Sequence, residues 1–440
     1  MTGKSGSWAL IAALAGFLFG FDTAVISGAE QAVQKVWAMS DALHGLAISS
    51  ALWGTVIGAL LGGWPSDRWG RRPTLIAIGV FYAISALGSA LAWDPASFIV
   101  FRVLGGLAIG VSSVTAPAYI AEIAPREQRG RLVALFQTMI VLGILVAFLS
   151  NFLLGNIGEN GWRWMLGVVA VPSFAYLAAT LRIPESPRWL YCHAGREAEA
   201  RAILQQINPA TVDETLSAIA AEAAEDSRTI SWAQFFSGEF RRPIMLAFLI
   251  AMFNQVSGIN AIIYYAPRIF ELTGAGAQTA LLATVGIGLV NMVFTLAGLM
   301  LIDRAGRKFL MYIGSAGYIV SLGMTAWGFA SGQFALVLPF IFAFIAAHAI
   351  GQGAVIWVYI SEIFPSVARA KGQSLGAGTH WVFAAGLTLV MPAILASVAP
   401  AAIFAGFAAM MVLQLIWVRF AMIETRGRSL EDVARELTRR

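Results

Sequence analysis

A single cysteine, Cys192, stands in 440 residues, so the chain can form no internal disulfide. Charge is scarce as well. Asp, Glu, Lys and Arg make up 12% of the residues, about half the share of a soluble globular protein. The four histidines, at 44, 193, 348 and 380, belong to no His/Cys cluster with metal-ligand spacing. No Gly-x-x-x-x-Gly-Lys-Ser/Thr loop occurs, which excludes a P-loop nucleotide engine within this chain. No Asn-x-Ser/Thr glycosylation acceptor occurs either.

What the chain has instead is long apolar stretches. Hydrophobic residues make up 58% of it, and about 20 apolar residues suffice to cross a bilayer. Twelve such runs can be counted, near 8–28, 46–64, 75–93, 97–120, 132–154, 164–182, 243–272, 279–301, 309–330, 333–360, 372–395 and 399–421. They are expected to be helices, because lipid offers no partner to the N–H and C=O groups of a lone strand. The first run follows Lys4 as a signal peptide's would, but it holds Asp22 and leads into eleven more, so it is expected to be retained. A charged, Ala/Glu-rich interval from 185 to 242 separates six runs from six.

The net charge of +5 could suggest nucleic acid, but the positions of Lys and Arg argue for a topology signal. Of 29 basic residues, Lys35, Arg163 and Arg268 fall in loops on one side and Arg102 lies inside a run. The rest, including Lys4, Arg131, Arg241, Arg242 and Arg435, are expected at the opposite face. Basic residues mark the cytoplasmic face, so both termini are expected there, in a bacterial inner membrane.

The two halves repeat. Asp67-Arg68-Trp69-Gly70-Arg71-Arg72 recurs as Asp303-Arg304-Ala305-Gly306-Arg307-Lys308. Glu122-Ile123-Ala124-Pro125 with Arg129 recurs as Glu362-Ile363-Phe364-Pro365 with Arg369, and the Glu185–Arg188 stretch is echoed at Glu424–Arg428. All three pairs are offset by roughly 240 residues, the mark of an internal duplication. The division expected is a six-helix half at 1–184, a linker of short amphipathic helices at 185–242, a second half at 243–423 and a tail at 424–440. Taken alone, the repeated charges fit either solvated turns or a clasp between neighbouring helices. Their duplication suggests ion pairs across the halves, closing a cytoplasmic gate from Asp67, Arg71, Arg72, Glu122, Arg129, Glu185, Arg188, Asp303, Arg307, Glu362 and Arg369.

Most charges sit at the ends of the apolar runs, whereas Asp22 and Arg102 lie further in. Asp22 stands roughly 9 Å from the outer end of its run and Arg102 roughly 8 Å from the outer end of its own, at 1.5 Å per residue. An isolated carboxylate at that depth must be protonated, paired or hydrated. Two opposite charges at one depth suggest a pair. A snorkelling arginine with a capping aspartate is the alternative. Glu30, His44 and His193 are placed in loops, and His348, among alanines, is taken as a packing histidine.

In its motifs the chain resembles the sugar porter branch of the major facilitator superfamily. The resemblance rests on Gly20-Phe21-Asp22-Thr23, the two Asp-Arg-x-Gly-Arg turns, Arg102-Val103-Leu104-Gly105-Gly106, Pro184–Leu190, Ser257-Gly258-Ile259-Asn260 and Tyr264-Tyr265. It implies an all-α membrane fold of twelve helices in two pseudo-symmetric halves, rocking about a midplane site. It further implies a sugar held by Phe19, Gln137, Asn254, Gln255, Asn260, Asn291, Trp357, His380 and Trp381. Amides offer a sugar hydroxyl both a donor and an acceptor, and a flat indole covers a C–H face. Relatives coupled to protons share the acid at Asp22, which with Arg102 would carry the coupling proton.

The function implied is proton-coupled symport of a hexose or pentose. A facilitative uniporter, a drug or organic-acid antiporter, a transport-inactive receptor and a membrane enzyme are the alternatives. The partners expected are a monosaccharide, a proton and lipid, for a monomer without cofactor, metal or nucleic acid. The chain departs from the family pattern at Asn254, commonly glutamine, at His380, commonly an amide, and at Gly353-Ala354, commonly Gly-Pro. The bend of the tenth helix and the contact made by Asn254 are therefore in question.

Overall fold

The computed structural model describes residues 3–125, 128–226 and 230–438. Among these, every regular element is helical. Twelve helical spans are long and apolar enough to cross a bilayer: α1 Lys4–Val36, α2 Asp41–Leu61, α3 Arg71–Leu91, α4 Pro95–Ile123, α5 Arg129–Leu154, α6 Gly161–Thr180, α7 Arg241–Glu271, α8 Ala277–Ala305, α9 Arg307–Ser331, α10 Phe334–Glu362, α11 Ser366–Ser397 and α12 Pro400–Phe420. Each overlaps one of the apolar runs.

The first helix outruns its apolar stretch, and the second begins before its own. α1 continues to Val36, and α2 opens at Asp41 after a tight turn in which Ala38 takes φ +44°. Glu30 and Lys35 are therefore on α1 and His44 on α2, and the outer loop expected near 29–45 shrinks to that turn. Hydropathy ended the helix early because it scores Glu30 as a solvated charge. In the fold Glu30 is fully buried against partners from other helices.

Contacts divide the chain into two compact units. One comprises Met1–Thr23, Ser50–Ala147 and Arg163–Thr229; the other comprises Ala24–Ser49, Phe148–Trp162 and Ile230–Arg440. In the first unit, small residues let backbones touch. A Cβ on Gly106 of α4 would lie 1.9 Å from the Ala51 carbonyl oxygen of α2, and one on Gly20 of α1 would lie 1.9 Å from the Ile140 carbonyl oxygen of α5. Lipid gives helices no hydrophobic reason to associate, so van der Waals packing at such glycines carries the association.

The helices Glu197–Ile207 and Val212–Asp226 bury one face only. Ile203, Leu204 and Leu216 join a core with Trp8 and Leu18 of α1, Leu75 and Tyr82 of α3, and Tyr119 of α4. The charged interval as far as Asp226 is thus integral to the first unit, whereas 230–242 belongs to the second. In the second unit α7 breaks at Gly258, which takes φ +86°, and α10 breaks at Gly351 (φ −85°, ψ −99°). The bend in α10 is therefore present without a Gly-Pro pair.

Candidate functional site

Asp22 and Arg102 are brought together inside the first unit. The Arg102 Nη1 donates to Asp22 Oδ1 at 2.8 Å and Nη2 to the Asp22 backbone oxygen at 3.3 Å. The side chains are 3% and 1% exposed. Gly105 leaves the space that Ser85 needs beside Asp22: a Cβ there would lie 2.4 Å from Ser85 Oγ and in ordinary contact, 3.5 Å, with Asp22 Oδ2. Asp22 Oδ2 and Ser85 Oγ are buried, and neither has a hydrogen-bond partner among the described residues. One carboxylate oxygen is held by the guanidinium while the other is open.

The remaining polar positions lie in the second unit, except Phe19 on α1 and Gln137 on α5, both half-buried in the first. After the break at Gly258 the chain of α7 turns so that Asn260 Nδ2 reaches Gln255 Oε1 at 2.7 Å. Gln255 Nε2 in turn lies 3.2 Å from both ring nitrogens of His380 on α11. The His380 ring sits 5.0 Å from that of Trp357 and 4.8 Å from that of Trp381. Trp357 is 40% exposed, whereas Gln255 and His380 are buried. Two donor–acceptor amides, an imidazole and an accessible indole thus converge where α7 and α10 are both broken. Such an array suits a solute with several hydroxyls and an apolar face.

Two expected members are placed differently. Asn254 does not reach Asn260 directly: it accepts from Gln255 Nε2 at 2.8 Å and donates to Gln352 Oε1 of α10 at 3.4 Å. Asn291 on α8 accepts from Thr295 of its own helix at 3.4 Å.

The duplicated charges form two matching clasps. In the first unit, Arg71 Nε and Nη2 donate to Glu122 (3.1 and 2.9 Å), and Nη1 donates to Asp67 and to the Ser66 carbonyl, each at 3.0 Å. In the second, Arg307 Nε and Nη2 donate to Glu362 (3.1 and 2.8 Å), and Nη1 donates to the Ile302 carbonyl (3.0 Å) and pairs with Asp303 (3.2 Å). The carboxylate of Glu185 accepts the backbone N–H groups of Arg71 and Arg72, and that of Glu424 accepts those of Arg307 and Lys308.

The glycine before each arginine is required. Gly70 (φ +103°) and Gly306 (φ +90°) are left-handed, and a Cβ would lie 2.3 Å from Glu185 Oε2 or 2.7 Å from Glu424 Oε2. Burial chiefly pushes the Glu185 carboxyl above the ordinary glutamate range, against its backbone donors and Arg71.

Both clasps close within a unit rather than across the halves. The duplicated segment carries the arginine together with its acceptors, so each copy is self-complete. Arg129 is exposed and, with Arg188, lines a cavity of about 190 Å³ beside Glu122. Arg369 Nε is buried with no hydrogen-bond partner among the described residues.

Two groups escaped the sequence reading. Thr425 Oγ1 donates to Glu362 at 2.6 Å, which places the start of the tail inside the second clasp. Glu30 accepts from Arg268 Nε and Nη2 (3.1 and 2.9 Å) and lies 2.8 Å from His44 Nε2, with Gln34 Oε1 2.6 Å from Arg268 Nη2. The signal available was the co-occurrence of three charges beside apolar runs, which hydropathy reads as helix ends.

A twelve-span chain with a duplicated architecture and broken helices that expose polar side chains has the design of a secondary carrier. The chain matches the family of sugar (and other) transporters over residues 8–437 and belongs to it. It is 36% identical to the arabinose-proton symporter of Bacillus subtilis, over 96% of this chain and 92% of that one. It is 35% identical to the glucose transporter GlcP of Staphylococcus epidermidis, over 98% and 97%. Its fold superimposes on the xylose transporter XylE of E. coli in a partially occluded inward-open conformation, with a TM-score of 0.87, 29% identity and coverage of 97% and 100%. The fold is that of the major facilitator superfamily.

Proposed function

We propose that the protein carries a monosaccharide, a pentose or hexose, into the cell together with a proton, by alternating access between two six-helix halves. The observation that carries this reading is the asymmetry of Asp22. Its Oδ1 is held by Arg102 while its buried Oδ2 has no hydrogen-bond partner among the described residues, so a proton placed there would displace no existing donor. Ionised, Asp22 attracts the guanidinium; protonated, it releases it, and the balance between conformations differing by a few kcal/mol shifts. The names of the relatives support proton coupling and a sugar of this size.

Gln255, Asn260, Asn291, His380, Trp357 and Trp381 hold the sugar in this reading. The clasps brace the cytoplasmic ends of each half, and the protein is a monomer in the plasma membrane with both termini cytoplasmic. Uptake into proteoliposomes tests the proposal. An inward proton gradient is expected to drive sugar above equilibrium in the wild type. Asp22→Asn is expected to abolish accumulation while counterflow exchange persists. Uptake that ignores the gradient would establish a uniporter instead.

A further inference from the structure

We propose that Gln352 of α10 and Gln414 of α12 are positioning residues for sugar recognition, locking the amides of Gln255 and Asn260 into one donor–acceptor orientation through a continuous hydrogen-bonded chain. The inference rests on the reading of Gln255 and Asn260 as sugar contacts.

The chain runs head to tail within the second unit. Asn260 Nδ2 donates to Gln255 Oε1 (2.7 Å), and Gln255 Nε2 donates to Asn254 Oδ1 (2.8 Å). Asn254 Nδ2 then donates to Gln352 Oε1 (3.4 Å), Gln352 Nε2 to Gln414 Oε1 (2.6 Å), and Gln414 Nε2 to Ser315 Oγ of α9 (2.8 Å). Five amides and one hydroxyl thus link four helices. Gln352, Gln414 and Ser315 are fully buried, and Asn254 and Gln255 nearly so.

A free carboxamide presents either its oxygen or its nitrogen to a ligand by a half-turn about its last bond. A member of this chain cannot do so alone. Turning Gln255, Asn254 or Gln352 alone sets oxygen against oxygen at one contact and nitrogen against nitrogen at the other; turning Asn260 alone brings two oxygens together, and turning Gln414 alone two nitrogens, since Ser315 can donate or accept. Buried polar groups left unmatched are strongly unfavourable. The orientation is therefore a property of the whole chain. Gln352 occupies the first position after the break at Gly351, which lets one side chain span the distance between α7 and α12. Glutamine is seldom fully buried, and two of them placed behind the sugar contacts call for more than space-filling.

The consequence is a fixed pattern. Asn260 offers its oxygen outward, so the sugar hydroxyl that meets it must donate. Replacing that hydroxyl by fluorine, which cannot donate, removes the contact.

The test uses the purified full-length chain and the tightest binder among D-xylose, D-glucose and arabinose, with its deoxy and deoxyfluoro analogues at each position. The wild type is expected to reject one deoxyfluoro analogue by roughly tenfold or more. Gln352→Leu and Gln414→Leu are expected to weaken the parent sugar about tenfold and to bring its ratio to that analogue within about twofold, since Gln255 and Asn260 can then turn. Gln352→Glu is expected to restore discrimination, because its carboxylate accepts from Asn254 and from a turned Gln414, whose oxygen takes the Ser315 hydroxyl.

An unchanged ratio in both leucine variants, with lowered melting temperatures, would assign the glutamines to packing and overturn the proposal. A wild type that accepts every deoxyfluoro analogue equally would overturn it as well. Should the leucine variants not fold, Gln352→Met and Gln414→Met, close to glutamine in length, carry the same comparison. Gln255→Ala separates the two readings. If sugar binding survives it, the pocket itself is misplaced; if binding is lost but the ratio never moves in the Gln352 and Gln414 variants, only the present inference fails.

Discussion

Asp22 and Arg102 meet at 2.8 Å within the first unit, where neither side chain is more than 3% exposed. Removing one partner of such a pair strands the other charge, at a cost of about 3–5 kcal/mol. Asp22→Asn and Arg102→Leu are each expected to lower the unfolding temperature in detergent. Because the two charges compensate each other, the double variant is expected to lose less than the sum of the singles. Strict additivity would show that the pair is not energetically coupled.

The close approach at Gly106 makes a second expectation. A methyl group there would lie 1.9 Å from the Ala51 carbonyl oxygen, closer than any relaxed contact, so α2 and α4 must separate. Gly106→Ala is expected to abolish a monodisperse peak in size-exclusion chromatography. Gly386→Ala on α11, where a Cβ meets nothing within 4 Å, serves as the neutral comparison.

Glu30 is fully buried with His44 and Arg268 as partners. Glu30→Gln is expected to destabilise the protein by about 3–5 kcal/mol, because Arg268 loses its carboxylate. Glu30→Gln/Arg268→Gln is expected to regain part of that loss. Thermal unfolding followed by tryptophan fluorescence reads both, and no difference between single and double variants would remove the ion pair as the cause.

Glu185 gives a pH dependence with a definite sign. Burial raises its titration point in the folded state, so ionisation is less favourable folded than unfolded. Its contribution is fully present below the ordinary glutamate range and is lost as pH rises through the raised value. The wild-type melting temperature is expected to fall over that window, and Glu185→Gln, which keeps an acceptor for the Arg71 and Arg72 N–H groups, is expected to flatten the fall.

Much of the fold was legible because lipid allows few alternatives. Twelve apolar runs became twelve spans, and the repeated motifs pointed to equivalent clasps down to the weak echo between Glu185 and Glu424. What escaped was partnership. Sequence offset relates Arg71 to Arg307, but it does not say that each arginine takes its acceptor from its own copy. Hydropathy likewise cannot distinguish a solvated glutamate from a buried one, so Glu30 passed for a loop residue. Asn254 and His380 were visible as departures, yet only the fold shows that Asn254 turns toward Gln352, a residue that no motif marked.

The clasp geometry also bears on biosynthesis. The acceptor for the N–H groups that open α3 is Glu185, which the ribosome supplies only after four further spans have been made. At about 5–20 residues per second that delay is on the order of ten seconds. The α2–α3 turn must wait through it unsealed, and the α8–α9 turn waits similarly for Glu424. Nascent chains arrested before residue 185 should therefore stay open to protease at the Asp67–Arg72 turn, and chains arrested well beyond it should not. Each clasp is fastened by a residue that follows the sixth span of its half.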